Sequence, residues 1–444
     1  MLTTMTKEPQ ENLMEKIVAL AKRRGFIYPS FDIYGGLAGF YDYGPHGLAL
    51  KKNIENLWWK QFVTDREDVY GIDSVLITKK EVLQASGHAR GFADMLSECE
   101  KCKRRFRADH LTDTKKCPEC GGKLGEARQF YMMLETHIGA AEDEASLAYL
   151  RPETAQGIFT NFKNIIDSFH PKLPFGIAQI GKAFRNEIAP RDFLFRVREL
   201  EQMEVEYFVK EGEWKSAFEM LRKEMHSFIT AIGIEGNKVL ELEVAEADRA
   251  HYSKRTIDFE FEFPFGRKEL YGLAYRTNYD LTNHAVASGV DLSLLDEETK
   301  ERIVPHVIEP SLGVGRSFLA VLCSAYTEDE MNGETRAYLR FKPMVAPVKI
   351  AVFPLLKNKP ELVAKAREVY RTLKKEFGAV IFDDNGNIGK RYRRQDEIGT
   401  PYCITVDFDT IEKDQSVTVR DRDTGKQERI SLGEIVLFLK QKLV

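Results

Sequence analysis

Polar and apolar side chains alternate along two successive stretches between residues 178 and 208, and this pattern constrains the fold more than any other in the chain. The stretches AQIGKAFRNE and FRVRELEQMEVEYF are separated by the seven residues IAPRDFL. Alternation with a period of two predicts β-strands, and so short a connection predicts an antiparallel hairpin. One face of that hairpin would carry the polar side chains Arg185, Glu187, Arg196, Arg198, Gln202, Glu204 and Glu206.

This charged face has two interpretations. A polar face that is exposed to water is the common outcome for an antiparallel sheet. Arginine, however, is the forked donor suited to phosphate, and further Arg and Glu residues recur beside glycines in RPETAQG, ELYGLAYRTNYDL and IEPSLGVGR. The last segment precedes an apolar run of helical length, so Arg316 would lie where a strand passes into a helix. Because that position can reach a bound polyphosphate, we favour a binding site.

The composition is that of a globular protein and excludes some classes of partner. The chain has 444 residues, of which 43% are hydrophobic and 30% charged, so two or three domains are expected. Its 65 Lys and Arg against 69 Asp and Glu leave a net charge of −4, so any RNA must be bound by local basic patches. The polar N-terminus and the lack of a long uncharged apolar stretch predict a cytoplasmic protein without membrane contact.

Four of the six cysteines form the pattern C-x2-C-x14-C-x2-C, which comprises Cys99, Cys102, Cys117 and Cys120. Four thiolates satisfy tetrahedral Zn²⁺, and each CxxC turn lets two sulfurs meet one ion. Disulfides or a redox dithiol are the alternatives, but a reducing compartment and the duplication of the pair disfavour them. We predict a structural zinc module at residues 96–126, with no open coordination position for chemistry.

The pattern changes near residue 346. Strands and helices then interleave over about a hundred residues, which predicts an independent α/β domain at 346–444 after a first domain at 1–345. A helical insertion is expected at 211–250, between strands of the first domain. In the second domain a basic cluster predicts contacts with RNA phosphates and bases, a solvated charge run being the alternative. The cluster consists of Lys390, Arg391, Arg393 and Arg394 around Tyr392.

Taken together, these stretches resemble the class II aminoacyl-tRNA synthetases, and among them the single-chain, homodimeric glycyl-tRNA synthetases. The resemblance runs from about residue 16 to the C-terminus. It rests on GFIYPSFDIYGGLAGFYDYGPHG, SGHARGFADM, the CxxC pairs with RADHL, RPETAQGIF, FRNEIAPRDFLFRVRELEQME, AHYSK, YRTNYDL, IEPSLGVGR and IGKRYRRQDEIGTPYC.

The resemblance implies an α+β fold. It comprises a class II synthetase antiparallel sheet flanked by helices, a zinc-ribbon-like insertion and a C-terminal α/β anticodon-binding domain. The implied reaction is the activation of glycine with ATP and Mg²⁺, followed by transfer of the glycyl group to the 3′ end of tRNA(Gly).

Roles for individual residues also follow from the resemblance. The implied catalytic residues are Arg185 at the α-phosphate, Arg316 at the far phosphate end, and Glu187. The implied ATP-binding residues are Arg185, Asn186, Glu187, Phe195, Arg196, Val197, Arg198, Glu199, Leu200, Glu269, Leu270, Gly313, Val314, Gly315 and Arg316. The implied glycine-binding residues are Arg107, Glu153, Leu200, Glu201, Gln202, Met203, Glu204, Arg276, Glu309, Pro310, Ser311, Leu312 and Gly313. Leu200 stands where this family has Phe against the adenine, so aliphatic contact replaces stacking and weaker ATP binding is expected.

Two other functions compete with this interpretation. A synthetase-like protein that kept the fold but lost the activity would bind nucleic acid only, and the retention of the arginines expected at the phosphates argues against it. A synthetase for another amino acid is disfavoured by Glu153, Glu204 and Ser311, which match the glycine-recognition positions of the resembled family.

Overall fold

The computed structural model describes residues 8–296, 299–331, 333–413 and 415–443. The α-helices in these ranges are α1 (Glu8–Arg23), α2 (Pro45–Trp59), α3 (Lys80–Ala85), α4 (His88–Gly91), α5 (Ala155–Phe169), α6 (Trp214–Ala231), α7 (Tyr279–Ser288), α8 (Val314–Ala325), α9 (Pro360–Phe377), α10 (Ile388–Ile398), α11 (Phe408–Glu412) and α12 (Ile435–Lys442).

The strands fall into several sheets along the chain. They are β1 (Ile27–Pro29), β2 (Tyr41–Tyr43), β3 (Val69–Gly71), β4 (Ile77–Lys79), β5 (Ala93–Glu98), β6 (Arg105–Arg107), β7 (Arg128–Tyr131), β8 (Leu134–His137), β9 (Leu147–Leu150), β10 (Phe175–Phe184), β11 (Glu199–Val209), β12 (Val239–Glu243), β13 (Arg255–Phe263), β14 (Gly266–Thr277), β15 (Leu294–Leu295), β16 (Arg302–Ile303), β17 (His306–Gly313), β18 (Tyr326–Met331), β19 (Glu334–Leu339), β20 (Ile350–Pro354), β21 (Val380–Phe382), β22 (Tyr402–Val406), β23 (Ser416–Asp421) and β24 (Gln427–Ser431).

A seven-stranded sheet lies at the centre of the larger part of the chain, in the order β12-β13-β14-β17-β11-β10-β3. Its neighbouring strands are antiparallel except for the pair β10 and β3. The predicted hairpin is confirmed, because β10 pairs with β11 and Phe184 lies opposite Glu199.

The connection within this hairpin is longer than the seven residues expected, because β10 ends at residue 184 and β11 begins at residue 199. Four charged residues expected on the strands therefore lie in the loop of residues 185–198: Arg185, Glu187, Arg196 and Arg198. Asp192 and Phe193 adopt φ angles of 60° and 57°, which interrupt the extended conformation. Pro190 in the same loop has no backbone N–H for a strand ladder.

The two faces of the sheet pack against different helices. Val205 of β11 belongs to a core shared with α2, α6 and α8, whereas Phe208 belongs to a second core shared with α5 and α7. Successive strand residues point to opposite faces. Glu204 and Glu206 therefore lie on the same face as Phe208.

The segment 211–250 is only partly the helical insertion that was expected. Its helix α6 packs on the sheet through Phe218, Leu221 and Phe228. Residues 239–243, however, form β12, which extends the central sheet by pairing with β13. The alternation of VLELE, with Val239 turned into the core, explains why this stretch is a strand.

The C-terminal part has its own sheet and its own core. The strand order is β21-β20-β22-β23-β24, with β20 parallel to both of its neighbours. Helices α9 and α12 pack on it through Leu362, Leu373 and Leu439. The expected alternation of strands and helices after residue 346 is thus present.

Candidate active site

A cavity of about 660 Å³ opens on the face of the central sheet that carries Glu204. Most of the residues predicted for ATP and glycine line this one cavity. They are Arg107, Glu153, Arg185, Glu187, Phe195, Arg196, Val197, Glu199, Leu200, Glu201, Gln202, Glu204, Glu269, Leu270, Glu309, Ser311, Gly313, Gly315 and Arg316. The fold therefore brings together residues that are up to 209 positions apart in the sequence, Arg107 and Arg316.

The remaining predicted residues lie outside the lining. They are Asn186, Arg198, Met203, Arg276, Pro310, Leu312 and Val314. The side chains of Met203, Leu312 and Val314 belong to the hydrophobic core. Strand alternation turns Met203 and Leu312 to the opposite face of the sheet, and Val314 is the first residue of α8. A contact of these three with a ligand can come only from the backbone.

Two of the outlying arginines support the site from behind. Arg198 donates to the carbonyl oxygens of Glu187 at 2.9 Å and of Ala38 at 2.7 Å, which ties the loop 185–198 to the N-terminal segment. Arg276 is fully buried and donates to Glu309 Oε1 at 3.0 Å. Arg276 thus contacts a residue of the lining without reaching the cavity itself.

One end of the cavity is rich in arginine. The guanidinium of Arg316, at the start of α8, lies 2.9 Å from Glu269 Oε2 and 4.5 Å from the centre of the Phe195 ring. Arg185 lies over the Phe92 ring at 5.5 Å and donates to the carbonyl of Pro152 at 3.1 Å. Each guanidinium is therefore oriented by a polar contact and by an aromatic ring, and both arginines line the cavity.

The positive charges at this end are crowded. Burial, and then the charges of Arg107 and Arg316, lower the pKa of Arg196, although Glu187 acts in the opposite direction. Arg107 reaches the site from β6, where it lies 2.9 Å from Asp94. A polyanion bound here would relieve the mutual repulsion of these cations.

The other end of the cavity is lined by buried acids. Glu204 accepts a hydrogen bond from Ser311 Oγ at 2.8 Å and one from Thr154 Oγ1. Glu153 lies 3.2 Å from His88 Nε2 and accepts from Gln156 at 2.9 Å. Glu309 also lines the cavity and pairs with Arg276 at 3.0 Å, whereas Glu153 and Glu204 form no ion pair with a lysine or arginine in the described ranges.

The acids differ in their protonation behaviour. Burial alone would raise the pKa of Glu153, but the interactions with His88 and with Arg276 lower it below its ordinary value. Burial and the charge of Glu153 raise the pKa of Glu204. Burial also raises the pKa of Glu309, against the effect of Arg276. A bound ammonium group would favour the ionised form of all three.

The family models match two parts of the chain. A model described as the tRNA synthetase class II core domain (G, H, P, S and T) matches residues 138–326, and one described as an anticodon binding domain matches residues 349–442. The glycine-tRNA ligase of Streptomyces coelicolor is 50% identical over 97% of this chain and 98% of its own length. That of Thermobifida fusca is 49% identical over the same shares. The chain belongs to the glycine-tRNA ligase family.

A solved structure outside this family has the same fold. Giardia lamblia prolyl-tRNA synthetase in complex with prolyl-adenylate matches with a TM-score of 0.73, covering 100% of this chain and 81% of that one at 16% identity. At that identity the likeness concerns the fold alone. With the family models it confirms the expected class II core, with its antiparallel sheet, and the C-terminal anticodon-binding domain.

Several residues of this glycine-tRNA ligase family member line or support the cavity but were not predicted. Asp258 of β13 and Tyr252 line it, and His88 supports Glu153 from behind. Burial, followed by the charges of Glu269 and Glu260, raises the pKa of Asp258 to about 7. His88 lies in SGHARGFADM and Tyr252 lies in AHYSK. Both segments carry the resemblance to the synthetase family, so the sequence could have indicated these two residues.

The four predicted zinc ligands converge. Cys99 Sγ lies 3.6 Å from Cys120 Sγ, and Cys102 Sγ lies 3.7 Å from Cys117 Sγ. Sulfurs at about 2.3 Å from one tetrahedral ion would be separated by nearly this distance. The ligand set therefore fits Zn²⁺, and β6, which carries Arg107, lies between the two pairs.

The basic cluster of the C-terminal domain is only partly exposed. Lys390 and Arg393 are exposed on α10, and Arg394 pairs with Asp383 at 2.7 Å. Arg391, in contrast, is 1% exposed, and its guanidinium donates to the backbone carbonyls of Pro354, Asp384 and Gly386. The expectation that Arg391 meets RNA is thus corrected, because its donors hold the domain together.

None of the helices in the described ranges is both long and apolar enough to cross a membrane.

Proposed function

We propose that the protein is a glycine-tRNA ligase, which joins glycine to ATP as glycyl-adenylate and then transfers the glycyl group to the 3′ end of tRNA(Gly). The observation that carries this proposal is a single cavity with arginines at one end and buried carboxylates at the other. The first end suits a triphosphate, and the second suits an ammonium group. The relatives that carry this name span nearly the whole chain.

In the first step a carboxylate oxygen of glycine bonds to the α-phosphorus of ATP, and the bond from that phosphorus to the bridging oxygen of diphosphate breaks. The carboxylate of glycine is already ionised at neutral pH, so no general base is required. The reaction needs alignment and neutralisation of the charge on the departing diphosphate. Arg185 is assigned to the α-phosphate and Arg316 to the far end of the triphosphate, with Glu187 beside them.

In the second step a ribose hydroxyl oxygen of the terminal tRNA nucleotide bonds to the glycyl carbonyl carbon, and the bond from that carbon to the oxygen shared with phosphorus breaks. AMP leaves with that former carboxylate oxygen, and the hydroxyl proton passes to the departing phosphate. The glycyl group must stay in place while its bond to AMP is replaced by a bond to the tRNA ribose. The buried carboxylates that bind its ammonium group hold it there during both steps.

Magnesium is assigned to the arginine end of the cavity. Glu269 and Asp258 present carboxylates there, and their mutual proximity contributes to the raised pKa of Asp258. Such crowded acids fit a hard cation that prefers oxygen ligands. If bound there, Mg²⁺ would be held by Glu269 and Asp258 and would neutralise part of the charge of the phosphates.

Selectivity for glycine is assigned to Glu153, Glu204, Glu309 and Ser311. Carboxylates that converge on an ammonium group leave no apolar space for a side chain, so larger amino acids are excluded by overlap. Rejection of larger analogues in this way needs no second, editing site.

A structural Zn²⁺ is proposed at the four cysteines, whose sulfur spacing fits a closed tetrahedral site. Its role would be to hold β6, and through it Arg107, against the cavity. Thiols in this arrangement also fit the reducing conditions of the cytoplasm, which we propose as the location.

A homodimer is proposed from exposed apolar residues next to β4. Val75 is 78% exposed, and Leu76 and Ile77 are 41% and 45% exposed. A contiguous apolar stretch of this kind is costly to leave in water and is typical of an interface. The partner would be a second copy of the chain, and sedimentation of wild type against Val75→Asp tests it.

For the C-terminal domain, the proposed role is to bind the anticodon region of tRNA(Gly) through Lys390 and Arg393, with the domain boundary near residue 346. Loss of these two charges should weaken tRNA binding and leave the activation of glycine unchanged.

Glycine-dependent exchange of labelled diphosphate into ATP tests the central proposal. The assay is run with each of the twenty amino acids, without tRNA. A catalytically silent nucleic-acid-binding protein gives no exchange with any of them, and a synthetase for another amino acid gives exchange with that one.

A further inference from the structure

Glu206 is a fully buried acid to which the reaction described above assigns no role. It follows Glu204 by two residues on β11, so both side chains project from one face of the sheet, yet Glu206 does not line the cavity. The residue is 0% exposed, and within the described ranges neither of its carboxyl oxygens has a hydrogen-bond partner. A buried, partnerless carboxylate is strongly destabilising, so its state needs a physical explanation.

The charged groups that surround Glu206 are mostly acidic. One carboxylate oxygen from each of Glu204, Glu206 and Glu309 lies within 4.8 Å of the other two. Arg276 from β14 and Asp280 from α7 also face Glu206. Further away on the same side are Glu153 from the start of α5, with its neighbour His88, and His284 of α7, which is bonded to Gln156.

The one arginine in this group is already engaged. Two nitrogens of Arg276 bond to the two carboxylate oxygens of Asp280, each at 2.8 Å, and a third nitrogen bonds to Glu309 at 3.0 Å. Arg276 can therefore compensate the charge of Asp280 and part of that of Glu309. It offers no hydrogen bond to Glu206.

The geometry decides which of the neighbouring acids holds a proton. Burial and the proximity of Glu309 raise the pKa of Glu206 well above its ordinary value. Two carboxyl groups this close in a dry environment do not both ionise. Burial raises the pKa of Glu309 as well, but Glu309 has the direct bond from Arg276 and lines the cavity, whereas Glu206 has no hydrogen-bond partner in the described ranges. The negative charge is therefore favoured on Glu309 and the proton on Glu206.

We infer that Glu206 is a neutral carboxylic acid in the working protein and acts as a positioning residue that keeps Glu309 as the charged group facing the substrate ammonium. The inference rests on the proposed function, since it takes glycine as the ligand of Glu309. A charged Glu206 would repel Glu309 and would add an uncompensated anion behind the site. With Glu206 neutral, the acid end of the cavity suits one monovalent ammonium group.

Two neutral variants test whether Glu206 acts as a neutral group. Glu206→Gln keeps the shape and the neutrality of the protonated acid, and Glu206→Leu keeps a neutral side chain of similar size without polar atoms. Because neither carboxyl oxygen of Glu206 has a hydrogen-bond partner in the described ranges, we expect the KM for glycine in diphosphate exchange to change by less than about 3-fold in both variants, with kcat nearly unchanged. A Gln variant that fails to fold, or whose KM for glycine rises about 10-fold or more, overturns the inference.

An infrared difference spectrum measures the protonation directly. Wild type minus Glu206→Gln at neutral pH should contain the C=O stretch of a protonated carboxyl, and a difference that contains only carboxylate bands overturns the inference. This measurement requires no activity, and it decides the case if the Leu variant does not fold. The absence of glycine-dependent exchange in wild type would instead count against the proposed function, so the two failures are distinguishable.

Discussion

The substitution Arg185→Ala tests the arginine end of the cavity most directly. In the structure this guanidinium donates to the carbonyl of Pro152 at 3.1 Å and lies over Phe92 at 5.5 Å, and Arg185 lines the cavity. Removal of a preorganised donor at a developing charge costs about 3 kcal/mol, which corresponds to a loss of about 100-fold in rate.

The cost to stability should be much smaller. The variant loses one hydrogen bond to a carbonyl, worth about 1 kcal/mol, and one cation–π contact, worth about 0.5–1 kcal/mol. The unfolding temperature should therefore fall by only a few degrees. A large loss of exchange in a protein that is still folded would thus be a loss of phosphate contact.

The assay is diphosphate exchange at saturating glycine, with ATP varied. Arg267→Ala is the matched control, because Arg267 lies on the same β14 strand as other site residues but pairs with Glu262 on the surface and does not line the cavity. An Arg185→Ala enzyme within tenfold of the Arg267→Ala enzyme would refute the placement of the triphosphate beside Arg185.

Three further predictions concern other parts of the site. Cys102→Ser should lower the zinc content of the purified protein and raise the KM for glycine through Arg107; an unchanged KM in a folded, zinc-free protein would contradict the scaffold role. Asp258 has a folded-state pKa of about 7 against an ordinary 3.8, so the folded state binds more protons between these values and its stability should fall as pH rises from about 4 to 7, then level off. Asp258→Asn should remove that component of the pH dependence, and thermal unfolding of both proteins across this range measures it; parallel curves would contradict the burial of this acid. Gly272 lines the cavity, and a Cβ placed there meets no described atom within 4 Å; Gly272→Val should therefore fold normally, since β-branched residues suit strands, but lose at least about tenfold in exchange by filling the site. Full activity in that variant would place the substrates elsewhere.

Local patterns in the sequence identified much of the fold. Alternation marked β10 and β11 as a hairpin because side chains on a strand project in turn to opposite faces. The spacing of the cysteines marked a metal module because two CxxC turns can present four sulfurs to one ion. The Arg and Glu residues beside glycines pointed to the cavity, which Glu153, Glu269, Glu309 and Arg316 line.

Other features depended on distant parts of the chain. The sequence placed Met203 and Leu312 among the site residues, but strand parity turns their side chains into the core. Arg391 belongs to a basic run, yet it is buried because the carbonyl groups of two other segments converge on its guanidinium.

The sequence by itself determined the β10–β11 hairpin, the alternation of strands and helices after residue 346, and the family of the protein, because these follow from local periodicity and from ordered motifs. The tertiary structure alone decided which charges lack counter-ions. Parity places Glu204 and Glu206 on one face, but only the packing of α5, α7 and β17 leaves Glu204 at the cavity and Glu206 buried without a hydrogen-bond partner among the residues that the structure describes. The physical reason is that the charge state of a carboxyl group depends on its solvation and on its neighbours in space. Neither can be read from the residues adjacent to it in the chain.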